Sequence, residues 1–585
     1  MMKFNDIETR NDLADFLKIP KSQLSYLLYF KDVNNSYTSF DISKKNGGIR
    51  KIKAPTDELK EIQRKLAEAL YKHREKKQNN NNISHAFKKD KSIITNAKIH
   101  RNKRFVLNID LENYFESFHF GRVRGFFANN KNFLLPMKVA TVIAQISCYD
   151  GKLPQGAPTS PIISNLISEI LDRRIMKIAK KYKLYYTRYA DDLTFSTNDK
   201  NFSNLQTEFY EEISEEITNS GFKINDKKNR LQFRDSRQVV TGLVVNKKIN
   251  VNRIYYKETR AMAHQLYTHG KFEINGEPAT PNQLEGRFSF INQLTWYNNK
   301  IDGEKHTFYN LSSRELQYQK FLFYKYFFAN SKPLIVTEGK TDIAYLKSAL
   351  KNLYAEYPNL INRNSDGTFE FKVSFLKKTK RLAYFLKINQ DGGSALNNIY
   401  DFYNDRKRNK STPNYLRIFK ELSNTSPENP VILMFDNEIK SEGKKPIGSF
   451  LNHAKLNFKK KTKLSNDYMV DIVDNLYLLT VPLVKGKSEC DIEDLFDDGA
   501  LSQIIDGKEF TKENDYDHSK YYGKEIFSKY VESDYSNINF DRFKSVLDNM
   551  NFIIDTYKKE HLNKEHSLDT INTDNSNKDQ VPLEV

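Results

Sequence analysis

Cysteine is nearly absent from this chain: Cys148 and Cys490 are the only two in 585 residues. Two thiols cannot build a disulfide framework or a cysteine-rich zinc finger, and they suit a reducing cytoplasm. No apolar run reaches membrane-spanning length, so no membrane partner is expected. The opening residues are polar and lack the apolar core of a signal peptide. Acidic charge is in deficit. Against 93 Lys and Arg stand 74 Asp and Glu, a formal net charge of +19 with a pI near 9.3. That balance favours a polyanionic partner and salt-sensitive binding, without saying which polyanion. The length requires at least two domains.

What is present is most telling at Tyr189-Ala190-Asp191-Asp192. Apolar residues flank it at 183–188 and 193–195, which predicts two short strands joined by a tight acidic turn. A lone Asp-Asp turn is more often a solvated loop. Adjacent carboxylates on a rigid hairpin repel each other, however, and a divalent cation relieves them. Upstream, Phe105-Val-Leu-Asn-Ile-Asp110 reads as a strand ending in an acid, with Phe115 five positions on. Between the two acidic sites, Leu153-Pro-Gln-Gly-Ala-Pro-Thr-Ser-Pro161 precedes an apolar helical run, Ile162 to Leu171. Downstream, Gly221-Phe-Lys-Ile-Asn225 precedes Lys227 and Lys228. Chance supplies any one of these segments, but hardly four in this order.

In this order the motifs resemble the fingers and palm of a reverse transcriptase, over roughly residues 10–325. The resemblance implies an α+β right-hand polymerase of fingers, palm and thumb. It makes Asp110, Asp191 and Asp192 the catalytic, metal-binding aspartates of a two-metal site for Mg²⁺, with Mn²⁺ as an alternative. It places Phe115 against the ribose 2′-position, Gln155 and Gly156 at the incoming deoxynucleoside triphosphate, and Lys228 near the triphosphate, with Lys227 as the fallback. Asn96-Ala97-Lys98-Ile99-His100 and Val240-Thr241-Gly242 resemble signatures of the retron branch. Retron enzymes recognise one structured non-coding RNA, prime from a 2′-hydroxyl within it and make a branched RNA–DNA hybrid, msDNA. RNA-binding roles for Asn96, His100, Thr241 and Gly242 follow from that resemblance. For His100, a purely structural histidine bonded to a backbone carbonyl is an equal alternative. The basic groups Lys44-Lys45, Lys88-Lys89 with Lys91, Arg101 to Arg104, and Arg253 with Lys257 and Arg260 add positive charge, and Arg253 and Lys257 are expected at the RNA.

The resemblance makes residues 1–251 the fingers and palm and the helical, aromatic stretch 252–330 the thumb; 331–562 reads as a second domain and the polar stretch 563–585 as a disordered tail. The polar, Asn-rich stretch 76–82 reads as a fingers loop. After Pro333, Leu334-Ile-Val336 is a buried-type strand that leads into Thr337-Glu338-Gly339-Lys340-Thr341-Asp342 and a helical run, Ile343 to Leu350. Val431-Ile-Leu-Met-Phe435 is another such strand, ending in Asp436-Asn437-Glu438. Acids at the ends of parallel strands converge on one rim of an α/β sheet.

This pattern resembles a TOPRIM domain of the overcoming-lysogenisation-defect nuclease branch. Glu438 stands where the family's second Asp is usual. The resemblance implies an α/β fold and a second two-metal site, with Glu338, Asp342, Asp436, Glu438 and Glu493 as metal ligands and Lys524 as a catalytic lysine; surface salt bridges are an equal alternative for Glu493 and Lys524. A reverse transcriptase fused to such a nuclease is a known retron arrangement in antiphage defence. It implies an effector that the hybrid restrains, acting on RNA (transfer RNA included) or DNA, and homo-oligomers assembled with the msDNA. The alternative is a TOPRIM domain that only binds nucleic acid or serves assembly.

Overall fold

The computed structural model describes residues 4–43, 47–76, 82–389, 394–405, 412–441, 445–513 and 515–576; side chains after His561 are not among them. Lys44, Lys45 and residues 77–81 of the Asn-rich stretch lie outside the described residues. So does the tail from 577 onward, while the helix Lys544–Ser576 enters the stretch read as disordered. The chain divides into two compact units, Met1–Arg253 and Ile254–Val585.

In the first unit, strands β1 (Tyr37–Ser43) and β2 (Ile49–Pro55) form an antiparallel hairpin, followed by the helix Asp57–Lys76. The central strand is β3 (Phe105–Glu112). It lies between β5 (Asp192–Thr197), which pairs with β4 (Tyr185–Tyr189), and β6 (Lys223–Ile224) with β7 (Arg230–Phe233), all antiparallel. A small hairpin, β8 (Val239–Val240) and β9 (Leu243–Val244), completes the unit. The apolar run after Pro161 becomes the helix Ser160–Lys181, with the proline in its first turn, where its missing N–H costs nothing. That helix and Phe202–Asn219 supply Leu171, Ile175, Phe209 and Ile213 to one core with Ile109 and Phe195 of the sheet. Phe195 is fully buried, stacked on Tyr186 at 4.9 Å and edge-on to Phe209 at 5.1 Å. Burying one such ring contributes about 2–3 kcal/mol. This packing pins the register, because a one-residue slip would turn Phe195 to the opposite face. In the register that results, Asp192 lies opposite Asp110.

The second unit opens with the helices Arg253–His269, Pro281–Asp302 and Ser313–Phe323 and a short hairpin, β10 (Glu273–Ile274) with β11 (Glu277–Pro278). Next come β12 (Leu334–Thr337), a side hairpin of β13 (Ile361–Arg363) and β14 (Phe369–Phe371), then β15 (Ser374–Phe375), β16 (Val431–Phe435), β17 (Met469–Val473) and β18 (Leu476–Thr480). The sheet order is β15-β12-β16-β18-β17, parallel except for β17. Val336, Leu433 and Leu478 face one core, while Ile335, Ile432 and Leu479 face another. A sheet covered on both faces needs strands apolar at every position, which is why these segments read as unbroken apolar runs. The aromatic segment Phe321 to Phe328 joins the first of these cores, so the helices of 254–328 and the sheet bury their apolar surface together.

Candidate functional site

The acidic hairpin is a two-residue connection. Tyr189 pairs with Asp192, and Ala190 takes a left-handed φ of 57°. Such tight hairpin turns require positive φ, which is strained for any side chain and least obstructed for a small one. The Leu111 N–H of β3 donates to the Asp191 carbonyl at 3.0 Å, tying the turn to the central strand. Asp110, Asp191 and Asp192 therefore crowd one end of the sheet. Burial, then the negative charges of Asp191 and Asp110, push Asp192 up to about 7. Asp191 is raised too, chiefly by burial. Lys228 lies on Asp110, its Nζ donating to both carboxylate oxygens at 3.0 and 2.9 Å. Among the described residues no three acids, histidines or cysteines are drawn into metal-holding geometry. The crowded carboxylates nonetheless fit a divalent cation, because a cation would relieve the repulsion that raises them.

Behind the turn lies a buried network that motif reading missed. Arg188 is fully buried and grips Asp172 through Nε and Nη2, each at 2.8 Å. Its Nη1 donates to the Ala190 carbonyl at 3.2 Å, the Tyr114 hydroxyl at 3.0 Å and Asn165 Oδ1 at 3.2 Å. One guanidinium thus holds the acidic turn, the residue before Phe115 and the helix Ser160–Lys181. The signal in the sequence was an arginine inside an otherwise uncharged strand, but its partner lies sixteen residues away on another element.

Phe115 is half-buried beside Phe87, with ring centroids 6.1 Å apart. The Gln155 carbonyl accepts from the Lys53 N–H at 2.8 Å, so its backbone joins strand β2. Gly156 has φ +123°, and a Cβ there would lie 2.7 Å from the Lys53 carbonyl oxygen. That close approach by itself requires glycine. Lys227 is exposed.

The two retron-like signatures meet in space. Asn96 lies on the helix Ile93–Ile99, which packs against β8 and β9. Thr241 and Gly242 form the two-residue turn between these strands, with φ 45° and 83°, and the Thr241 hydroxyl donates to the Ile93 carbonyl at 3.4 Å. Asn96 is fully buried, and so is His100. The His100 ring bridges the hydroxyls of Ser196 and Thr187, both at 2.7 Å. The RNA contact expected for these two side chains is therefore corrected to an internal role, because neither reaches the surface. Arg253 and Lys257 stand exposed one turn apart on the helix Arg253–His269.

Burial lowers His100 to about 3 from its ordinary 6.5. A depressed histidine stabilises the fold fully above 6.5, and that contribution is lost as pH falls from 6.5 towards 3. At pH 5 the loss from His100 is expected to be about 2 kcal/mol. Urea unfolding at pH 7.5 and pH 5 checks this. His100→Gln should narrow the difference between the two pH values by that amount; an equally steep pH dependence in the variant would remove His100 as its source.

In the second unit, β12 and β16 end side by side. Glu338 follows β12, and the Gly339 N–H donates to Asp342 Oδ2 at 2.8 Å. A Cβ on Gly339 would lie 2.7 Å from Asp342 Oδ1, so a larger residue there would displace the Asp342 carboxylate. Asp436 follows β16 and accepts from the Ile492 N–H at 3.0 Å, which brings the segment carrying Glu493 to the rim. Glu493 is fully buried and accepts from Lys524 Nζ at 2.9 Å. Lys445 binds Glu438 at 2.6 Å. Burial, then the charges of Asp342 and Glu438, push Glu338 up to about 7. Burial, then the charges of Asp342, Glu338 and Glu493, raise Asp436 well above its ordinary value. Glu338 Oε2 and Glu493 Oε1 are buried without a hydrogen-bond partner. The structure thus gathers five carboxylates and Lys524 from across nearly two hundred residues. It adds Lys378, whose Nζ donates to the Glu338 carbonyl at 2.7 Å and which no motif marked.

Comparison with known proteins agrees with the palm geometry. The family described as reverse transcriptase (RNA-dependent DNA polymerase) matches residues 42–250. Fold, site and match together define an RNA-directed DNA polymerase. The retron Ec86 reverse transcriptase of Escherichia coli is 35% identical over 284 residues, 48% of this chain and 83% of that protein. The retron Ec83 reverse transcriptase of the same organism is 31% identical, covering 43% of this chain and 86% of that protein. The retron Mx162 reverse transcriptase of Myxococcus xanthus is 30% identical, covering 49% and 64%. The chain belongs to the retron reverse transcriptases.

Proposed function

We propose that this retron reverse transcriptase makes a branched RNA–DNA hybrid from a cognate non-coding RNA in the cytoplasm. In the same reading, residues 331–562 are a TOPRIM nuclease that the hybrid restrains until phage infection releases it. In the palm, Asp110, Asp191 and Asp192 would hold Mg²⁺, which when bound supplies activation of the primer hydroxyl and neutralises charge at the leaving pyrophosphate. Lys228, now on Asp110, is placed to turn to the triphosphate. Arg253 and Lys257 offer positive charge to the RNA backbone.

The observation that carries the second half is the rim of the parallel sheet, where Glu338, Asp342, Asp436, Glu438 and Glu493 meet with two orphaned carboxylate oxygens. Those orphans fit a divalent cation, Mg²⁺ or Mn²⁺, which when bound supplies an activated water for phosphodiester cleavage. Lys524 lies beside Glu493 and can donate to a phosphate oxygen as negative charge builds there. Phosphodiesters of RNA and DNA both suit this chemistry.

A second reading, a non-catalytic nucleic-acid-binding or assembly module, draws support from the lysines already seated on Glu438 and Glu493. Glu338→Ala separates the two. It is expected to remove growth arrest and to lower phage protection by at least about tenfold in plating efficiency, the loss expected when a metal-held catalytic site is removed, with hybrid synthesis intact. Protection equal to wild type would favour the assembly module.

A further inference from the structure

The first unit carries a cleft whose lining includes none of Asp110, Phe115, Gln155, Asp191, Asp192 or Lys228. It is a cavity of about 670 Å³ bounded by the helices Phe120–Asn129 and Ser160–Lys181, the end of Phe202–Asn219 and residues 129–132. Four cations line it, Arg122, Lys131, Arg173 and Arg174, and among the described residues no acid does. At its edge, Glu216 binds Arg174 at 3.1 Å, which leaves three positive charges uncompensated. Lys131 and Arg173 are exposed, with no carboxylate partner among the described residues.

Arg122 is the unusual member. It is half-buried, its guanidinium lies 4.4 Å from the Phe222 ring and 5.1 Å from that of Phe118, and its protein acceptors are the carbonyls of Ser117 at 3.4 Å and Ser220 at 3.0 Å. A guanidinium taken from water is usually paired with a carboxylate. This one is fixed by carbonyls and aromatic faces, and its charge stays uncancelled inside a cleft. Beside it Ile170, 43% exposed, offers an apolar wall, and Asn219 an amide.

We propose that this cleft is a second RNA-binding site, taking a short single-stranded segment with its phosphates on Arg122, Lys131 and Arg173 and a base against Ile170. The volume suits one or two nucleotides, within the roughly 300–1,000 Å³ of ligand sites. An acidic protein segment would also meet the charge. The apolar wall and amide among the cations fit a base better, and the enzyme already works on RNA. The lining shares no residue with the site around Asp110, and in this proposal the cleft anchors RNA that is not being copied.

The test uses the full chain and a fluorescein-labelled 20-nucleotide oligouridylate, titrated by anisotropy from low to moderate KCl. Lys131→Glu/Arg173→Glu should weaken binding about tenfold and lower the slope of log K against log salt by about 1.4, since each single-strand phosphate contact contributes roughly 0.7. Lys177→Glu/Lys200→Glu changes the net charge equally at exposed positions outside the cleft and should leave the slope within about 0.3 of wild type. Thermal melting verifies that both variants fold. 4-Thiouridine in the probe should crosslink to peptides spanning 125–132 or 170–174. An unchanged slope in the first variant, an equal drop in the second, or displacement of crosslinks by an oligoglutamate peptide but not by unlabelled RNA would overturn the proposal.

Discussion

Replacing Asp191 and Asp192 together by alanine is expected to abolish hybrid synthesis, by at least about 10³-fold, or ~4 kcal/mol in the barrier. The same variant should melt no lower than wild type in metal-free buffer. Both carboxyls are raised, Asp192 to about 7, because burial and neighbouring negative charge oppose their ionised forms. A raised carboxylate weakens the fold as pH climbs past its ordinary value, so its removal relieves the protein at neutral pH. Primer extension and a thermal scan in EDTA check the two halves separately. Wild-type product would remove these residues from the chemistry. A large drop in melting temperature would make the pair structural instead.

The second large effect is expected behind the turn. Asp172→Ala leaves Arg188 buried without its counter-charge, and breaking a buried pair from one side typically costs about 3–5 kcal/mol. Urea unfolding should show that loss. Asp172→Ala/Arg188→Met removes both charges and should recover much of it, since a desolvated pair contributes little net stability. Synthesis should stay depressed in the double variant, because the Ala190 carbonyl and the Tyr114 hydroxyl have lost the donor that holds the turn. A double variant no more stable than Asp172→Ala would show that the guanidinium's other hydrogen bonds, rather than its charge, set the cost. Full activity in it would show that the turn holds its own shape.

The polymerase was legible because its chemistry is local in sequence. A strand carrying Asp110, which runs on to Glu112 rather than ending at the acid, and a tight turn with Asp191 in it and Asp192 just after it each leave a signature within ten residues, and their order along the chain supplied the rest. Gly156 stood out in the sequence, but the Lys53 carbonyl brought against it from the β2 strand did not. For His100 the sequence left an RNA contact and an internal role open, and the strands carrying Thr187 and Ser196 close over it, supplying hydroxyls in place of the backbone carbonyl expected.

The sequence by itself therefore determined the strands, the turns and the acids at their ends, since alternation, turn geometry and charge act over a few bonds. Only the tertiary structure decided which of those groups share a dielectric and a partner. Burial on two sheet faces brought Glu338, Asp436 and Glu493 to one rim, and the packing of Phe195 set the register that puts Asp192 opposite Asp110. It also buried Arg188 against Asp172. Electrostatic energy depends on distance and solvent exclusion, and neither is a property of any short stretch of chain.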